Sequence, residues 1–194
     1  MSPEGRETGL HIWIGLGFLG GAAVMNGEIA AGRLLAPHLG TSTTTWALLI
    51  GTVLTSLAAG SLLGGRLSGG GQPERWIVRL MVASSILFAA LPRAVPWLLS
   101  TSLDRFRTGG AVALGVTAAI TAIAIALPIG SLGALPPLLL HAAGHSENIQ
   151  NTNTNTKDTK NTPGSLGRLA GRLNAAGTAG SLAGTFAAGL WLLP

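Results

Sequence analysis

The chain has 194 residues, of which 47% are hydrophobic and only 10% are charged, and its mean hydropathy is +0.50. Soluble domains carry about a quarter charged residues, so this composition excludes an ordinary water-soluble domain and favours a protein of the lipid bilayer. The net charge of +5 is dispersed between apolar runs, which argues against a nucleic-acid partner. The chain has no cysteine, so a disulfide framework and a thiolate site are both excluded.

The first apolar segment predicts a membrane helix over about residues 9–36, ending before Pro37, because proline lacks an amide donor and restricts its predecessor. It holds Glu28, the only acidic residue in any apolar part of the chain. A charge at membrane depth costs about 2.5–3.5 kcal/mol, so it usually faces the bundle interior and has a partner. Arg33 is not stacked on it, because five residues give about 140° of helical rotation. The alternative is that both charges only mark where the helix leaves the lipid.

A hydroxyl-rich turn at residues 41–45 predicts the cap of a second helix, and the charge-free run at 46–65 is long enough to span. Within this run Gly60 and Gly64 form a small-residue face suited to close helix packing. A third helix is predicted over about 76–91 and is closed by Pro92. A short interfacial helix is expected to follow over 95–102, since that segment is too short to span.

Residues 109–140 form the longest charge-free run, and prolines and glycines interrupt its second half. The pattern predicts one helix over about 110–126 and a broken or separately angled helix over 127–143. A simple proline kink at the end of one long helix is the alternative. If residues 127–143 made a sixth crossing, both termini would lie on the same side of the membrane.

The sequence therefore divides into three parts. Residues 1–143 hold the first four membrane helices and the broken helix, and residues 164–194 hold the last membrane helix. The Asn/Thr-rich residues 144–163 between them are predicted to be a disordered loop, because they cannot bury enough apolar area to offset the ordering entropy. In the last helix Ala176, Gly180 and Gly184 recur every four residues and form a smooth face for packing.

The basic residues predict the orientation. With a cytoplasmic N-terminus, the inner side receives Arg6, Arg66, Arg75, Arg79, Lys157, Lys160, Arg168 and Arg172. The outer side receives Arg33, Arg93, Arg105 and Arg107. The excess of basic residues on the inner side favours a multi-pass protein of the cell membrane with its N-terminus in the cytoplasm.

Several motifs carry a resemblance to a known family. The first block is Glu28, Ala31-Gly32-Arg33-Leu34-Leu35-Ala36-Pro37, Gly40-Thr41-Ser42, Trp46 and Gly60-Ser61-Leu62-Leu63-Gly64-Gly65-Arg66-Leu67. The later blocks are Leu132-Gly133-Ala134-Leu135-Pro136, Gly167-Arg168, Gly171-Arg172-Leu173-Asn174-Ala175-Ala176-Gly177, Gly180-Ser181 and Gly184. They resemble the membrane domain of the fused major-facilitator-like/spermidine synthase family, including its broken helix. The resemblance implies an all-α polytopic protein with about five to six transmembrane helices, similar to half of a major-facilitator bundle.

Members of that family commonly continue into a soluble aminopropyltransferase-like domain. The present sequence has no strand, glycine-rich turn and helix unit of the kind that holds an S-adenosylmethionine-type cofactor. We therefore expect no cofactor, no metal ion and no catalytic residue on this chain, and no enzymatic activity of its own.

Two functions follow as hypotheses. In the first, the chain is a membrane module that binds or transports a small cationic solute such as a polyamine, with Glu28, Asn26 and Asn174 as ligands. Thr52 and Thr55 are further candidates for the cavity wall. In the second, it is an anchor or assembly subunit for a separately encoded aminopropyltransferase-like enzyme. Its glycine faces would then dock a partner, and Glu28 would only pair with an arginine of the bundle. The expected partners are the lipid bilayer and either a second copy of the chain or another subunit.

Overall fold

The computed structural model describes residues 4–105, 110–153 and 163–192, and every regular element within them is a helix. The elements are α1 (Glu4–Leu39), α2 (Thr43–Ser68), α3 (Pro73–Arg105), α4 (Gly110–Gly133), α5 (Leu135–Asn153), α6 (Pro163–Ala187) and a π-helix (Ala188–Leu192). Within these residues, four stretches are long and apolar enough to cross a membrane, namely Leu10–Pro37, Thr43–Ser68, Pro73–Leu98 and Ala119–Gly144, and α6 is not among them. The predicted all-α helical class is confirmed.

A glycine and a serine set the turn between α1 and α2. Gly40 has a φ of 73°, and its N–H donates to the Ala36 carbonyl at 3.0 Å, which closes α1 with a left-handed cap. The predicted end before Pro37 is therefore wrong by three residues, since α1 includes Pro37 near its end and loses only the hydrogen bond that the Pro37 nitrogen cannot donate. The Ser42 hydroxyl accepts from the Thr45 N–H at 3.3 Å and caps α2, as the hydroxyl-rich turn predicts.

Helix α3 continues through Pro92 and Pro96, so the predicted end at residue 91 and the separate helix over 95–102 are wrong. Each proline removes one backbone hydrogen bond. Ending the helix inside lipid would instead expose several unsatisfied backbone groups, each costing several kcal/mol. Leu91 and Val95 also pack into a buried cluster with α1, α2 and α4, which holds this part of α3 against its neighbours.

Helices α4 and α5 run in the same direction and form one interrupted crossing. Later residues of α4 meet later residues of α2, so these two helices are parallel, whereas later residues of α5 meet earlier residues of α1. The contacts that fix these directions are Gly130 with Gly60, Ala134 with Gly64, Leu135 with Gly20 and Leu139 with Gly17. Since α1 and α2 form an antiparallel hairpin, α5 continues along the direction of α4.

Helix α6 runs parallel to α1, because Gly180 lies against Phe18 and Gly184 against Ala22. Whether α6 crosses the membrane stays a prediction, since it is not among the four candidate spans. Two parallel membrane helices need an odd number of crossings between them, and α2, α3 and the α4–α5 unit supply three, so a crossing by α6 would be the fifth. Residues 127–143 lie within the single candidate span Ala119–Gly144, so they are not a separate crossing. The break lies at Ala134, later than the predicted boundary near residue 127, and Pro128 is inside α4.

The predicted loop over 144–163 is helical in its first part, since α5 continues through Asn153. Extending an existing helix into a polar segment requires no new nucleation. Residues 154–162 lie outside the described residues, and disorder in that segment stays a prediction.

Glycines allow backbone-to-backbone contact along two seams, one between α1 and α6 and the other between α2 and α4. A Cβ atom added at Gly184 would lie 2.6 Å from the Ala22 carbonyl oxygen. Added Cβ atoms at Gly60, Gly64 and Gly180 would overlap backbone carbonyl oxygens of the facing helix still more closely. These faces, which the anchor hypothesis reserves for a partner, are therefore occupied within the chain.

The predicted five-crossing arrangement can be tested by cysteine labelling, because the chain has no natural cysteine. Gly70→Cys and Ser146→Cys should react with a membrane-impermeant maleimide from the same side, and Thr41→Cys from the opposite side. Ala83→Cys, in the middle of a candidate span, is the control and should stay unlabelled. Reaction of Ser146→Cys from the Thr41 side would establish a sixth crossing.

Candidate functional site

A cavity of about 700 Å³ lies between α1 and α6 on one side and α2 and the α4–α5 break on the other. We call it the central cavity. Its walls are mostly leucine, valine, alanine and glycine, and its polar side chains are Ser61, Asn174, Thr178 and Ser181. All four lie on α2 or α6, the helices that face each other across it.

The hydroxyls of the central cavity are already bonded to backbone. Ser61 donates to the Ala58 carbonyl at 2.9 Å, and Thr178 donates to the Asn174 carbonyl at 2.9 Å. Ser181 donates across the seam to a carbonyl of α1 at 3.2 Å. Within the described part of the chain, the Asn174 carboxamide is therefore the one polar side chain of this wall without a hydrogen bond.

The α4–α5 break adds a backbone carbonyl group that its own helix cannot satisfy. In a helix the carbonyl of residue i accepts from the N–H of residue i+4, or of residue i+3 in a tightened turn. For Gly133 these positions are Pro136 and Pro137, neither of which has an N–H. Leu132 loses its i+4 donor in the same way. Leu132 keeps a possible i+3 donor in the Leu135 N–H, so Gly133 is the cavity-lining residue whose carbonyl lacks both helical donors.

The electrostatics of the break favour a positively charged or hydrogen-bond-donating ligand. The C-terminal end of α4 carries the negative end of a helix dipole, equivalent to about half an elementary charge. The N-terminal end of α5 would normally offset it with free amides, but Pro136 and Pro137 remove two of the first three. The sequence contains the signal for this site in its proline pair, but the role of the Gly133 carbonyl was not among the sequence predictions.

Two glycines of α2 fix the position of the break. Gly60 lies directly against the Gly130 carbonyl, and Gly64 lies against the Ala134 carbonyl. Because neither glycine carries a side chain, the end of α4 rests on the α2 backbone. The predicted packing residues of α2 thus hold the interrupted helix at the edge of the cavity.

Glu28 lies beyond one end of the central cavity without lining it. The residue is half-buried, seven positions after Gly21 and three after Met25, and so lies on the same face of α1 as these two lining residues. Within the described residues its carboxylate has no ion pair and no hydrogen bond. Arg33 is exposed and does not pair with it.

Asn174 is at the opposite end of the cavity from Glu28. The carbonyl of the preceding residue, Leu173, lies 3.5 Å from the Cβ position of Gly17. Gly17 precedes Glu28 by 11 residues, which is about 16 Å along the axis of α1. A single small ion therefore cannot contact both side chains.

The remaining predicted ligands lie outside the central cavity. The Asn26 amide donates to the Ala22 carbonyl at 3.0 Å, while its Oδ1 is buried without a partner among the described residues. Thr52 and Thr55 face a different depression, between α2 and α4, and Thr52 donates to the Leu48 carbonyl at 2.7 Å. Glu28, Asn26 and Asn174 are thus three separate positions rather than one cluster.

Comparisons of the chain with models of protein families, with curated proteins and with solved structures found no match. The resemblance to the fused major-facilitator-like/spermidine synthase family therefore rests on the motif residues alone. Four of those residues, Arg33, Pro37, Arg66 and Arg172, are exposed. Within residues 4–105, 110–153 and 163–192, no group of three or more acidic or histidine side chains is placed to hold a metal ion.

Proposed function

We propose that the chain is an integral membrane module that binds a small organic cation in the central cavity, at the α4–α5 break. The observation that carries this proposal concerns Gly133, which lines the cavity. The two residues whose N–H groups would normally bond its carbonyl in a helix are both prolines, Pro136 and Pro137, and have no N–H. Interrupted helices at membrane depth are tolerated where they line a cavity, and transporters use their free carbonyl groups to bind cations.

The spacing of the acceptors supports a ligand with more than one positive charge, such as a polyamine. Leu135, two residues after Gly133, lies beside Gly20, and Glu28 is eight residues further along α1, or about 12 Å. Leucine and valine side chains separate the two positions. Ammonium groups joined by a methylene chain would match an acceptor at each end and an apolar wall between them.

The helix directions support a cytoplasmic N-terminus. Five exposed arginines lie at the end of the bundle that holds the start of α1, namely Arg66, Arg75, Arg79, Arg168 and Arg172. Arg33 and Arg93 are exposed at the opposite end. Basic residues concentrate on the cytoplasmic side of membrane proteins, so we place the N-terminus there, in the cell membrane. We also propose that the chain belongs to the fused major-facilitator-like/spermidine synthase family. We further propose that transport of the cation requires two copies of the chain to pair.

Blocking the cavity tests the location of the site. Ala58 lines the central cavity from α2 and is exposed, so Ala58→Phe should fill space that the ligand needs. We expect this variant to bind labelled spermidine at least tenfold more weakly than the wild type in equilibrium dialysis of the detergent-purified protein. Ala83→Phe makes the same change on the exposed face of α3, outside the cavity, and should leave the affinity unchanged.

Equal spermidine affinity of Ala58→Phe and the wild type, with both proteins monodisperse and equally helical by circular dichroism, would exclude the central cavity as the site. Absence of saturable binding to the wild type itself would favour the anchor hypothesis. In that case co-purification with an aminopropyltransferase-like subunit becomes the relevant measurement.

A further inference from the structure

A second depression, of about 1080 Å³, lies between α2 and α4 on the outer surface of the bundle. We call it the lateral groove. It is lined over most of its length by small and aliphatic side chains, including Ala59, Leu63, Ile123 and Leu127. On α2 it extends from Ala47 to Leu67, which is about 30 Å and matches the thickness of the hydrocarbon core.

The lateral groove offers little hydrogen bonding along its length. Three of its four hydroxyl side chains donate to carbonyls of their own helices. The distances are 2.7 Å for Thr52, 2.6 Å for Ser56 and 2.7 Å for Ser131. An occupant of this groove therefore gains from apolar contact in its body, and a polar ligand such as the cation proposed for the central cavity does not fit it.

The charge of the lateral groove lies at one end. Among the described residues, Arg66 is the only charged residue that lines the groove, and it is exposed in the last turn of α2. Leu80 of α3 lines the same end, and the guanidinium of the adjacent Arg79 lies 5.3 Å from the centre of the Trp76 ring. Tryptophan and arginine together are typical of the headgroup level of a bilayer, so Arg66 is placed beside lipid phosphates.

We propose that the lateral groove binds an anionic phospholipid, with an acyl chain along α2 and α4 and the phosphate at Arg66. An apolar channel with a single cation at headgroup level is complementary to that class of molecule. A zwitterionic phospholipid can fill the same channel, but the positive charge in its headgroup is repelled by the positive charge of Arg66. The groove should therefore discriminate by headgroup charge and not by apolar contact alone.

Native mass spectrometry of the full chain, released from detergent containing equal phosphatidylglycerol and phosphatidylcholine, tests this site. The wild type should retain phosphatidylglycerol preferentially. Arg66→Gln should lower that preference about fivefold, the effect of about one arginine at a lipid surface, while Arg75→Gln, at the same end but outside the groove, should not. Ala59→Leu should reduce retention of both lipids by filling the groove, whereas Ala83→Leu on α3 should leave it unchanged.

Equal losses in Arg66→Gln and Arg75→Gln would show general attraction to the basic end and would overturn the specific site. Full retention of both lipids by Ala59→Leu would also overturn it. The same holds if the wild type is a dimer that Ala59→Leu dissociates, because the groove would then be an interface between two copies. Spermidine binding provides an independent check, because Ala58 faces the central cavity and Ala59 the lateral groove. The Ala59→Leu variant should bind less lipid but bind spermidine as the wild type does. The two binding measurements therefore test the lipid site and the cation site separately.

Discussion

Gly180→Ala is expected to destabilise the protein by about 3 kcal/mol, at the upper end of the usual cost of overpacking. The added Cβ would overlap the Phe18 carbonyl oxygen and lie 2.9 Å from the Phe18 Cα. These are backbone atoms of α1, so no side-chain rotation can relieve the clash and the two helices must separate. The free energy of unfolding, measured by tryptophan fluorescence during titration of micelles with a denaturing detergent, should fall accordingly.

Gly171→Ala is the matched control, because Gly171 is on the same helix and an added Cβ there meets nothing within 4 Å. It removes the same backbone freedom and should be neutral or stabilising by about 0.5–1 kcal/mol. If both variants unfolded at the same detergent concentration, the α1–α6 seam would not hold the bundle together. The parallel arrangement of α1 and α6, and with it the count of five crossings, would then lose its support.

Glu28→Gln is expected to weaken binding of a multiply charged amine by about 30-fold or more. Removing one member of a buried charge pair costs about 2–5 kcal/mol, and for the half-buried Glu28 the lower end of this range corresponds to about 30-fold in the dissociation constant. The glutamine keeps the shape of the side chain and loses only the charge. Because the carboxylate has no ion pair within the described residues, the variant should insert and fold at least as well as the wild type.

The combination of lost binding and retained stability separates a ligand from a structural charge. Glu74→Gln, an exposed carboxylate outside the cavity at the start of α3, is the control and should bind amines normally. If Glu28→Gln instead lowered the free energy of unfolding without changing the affinity, Glu28 would be a structural residue, as the anchor hypothesis requires.

The parts of the fold that follow from local chemistry could be predicted from the sequence. Apolar runs of membrane length identify the candidate spans, and the hydroxyl-rich turn identifies the Ser42 cap. The spacing of Gly180 and Gly184 indicates a packing face, although not which helix it meets. That assignment depends on tertiary contacts, here with Phe18 and Ala22 of α1.

The helix ends at prolines could not be predicted, because the same residue breaks a helix in one setting and is tolerated in another. Pro92 and Pro96 lie inside α3, where ending the helix would expose backbone groups to lipid. Pro136 and Pro137 lie in the first turn of α5, where missing amides are tolerated and the break falls just before them. The acceptor site at Gly133 depends on this difference.

The most direct test of the proposed function is equilibrium binding of labelled spermidine to the detergent-purified, folded wild-type chain, with competition by unlabelled amines. We expect saturable binding that a diamine of similar length displaces at least tenfold better than a monoamine, since the α4–α5 break and Glu28 provide two separated acceptors. Saturable binding displaced equally by both amines would contradict the two-acceptor site. No saturable binding to a well-folded chain would contradict the cation-binding function itself.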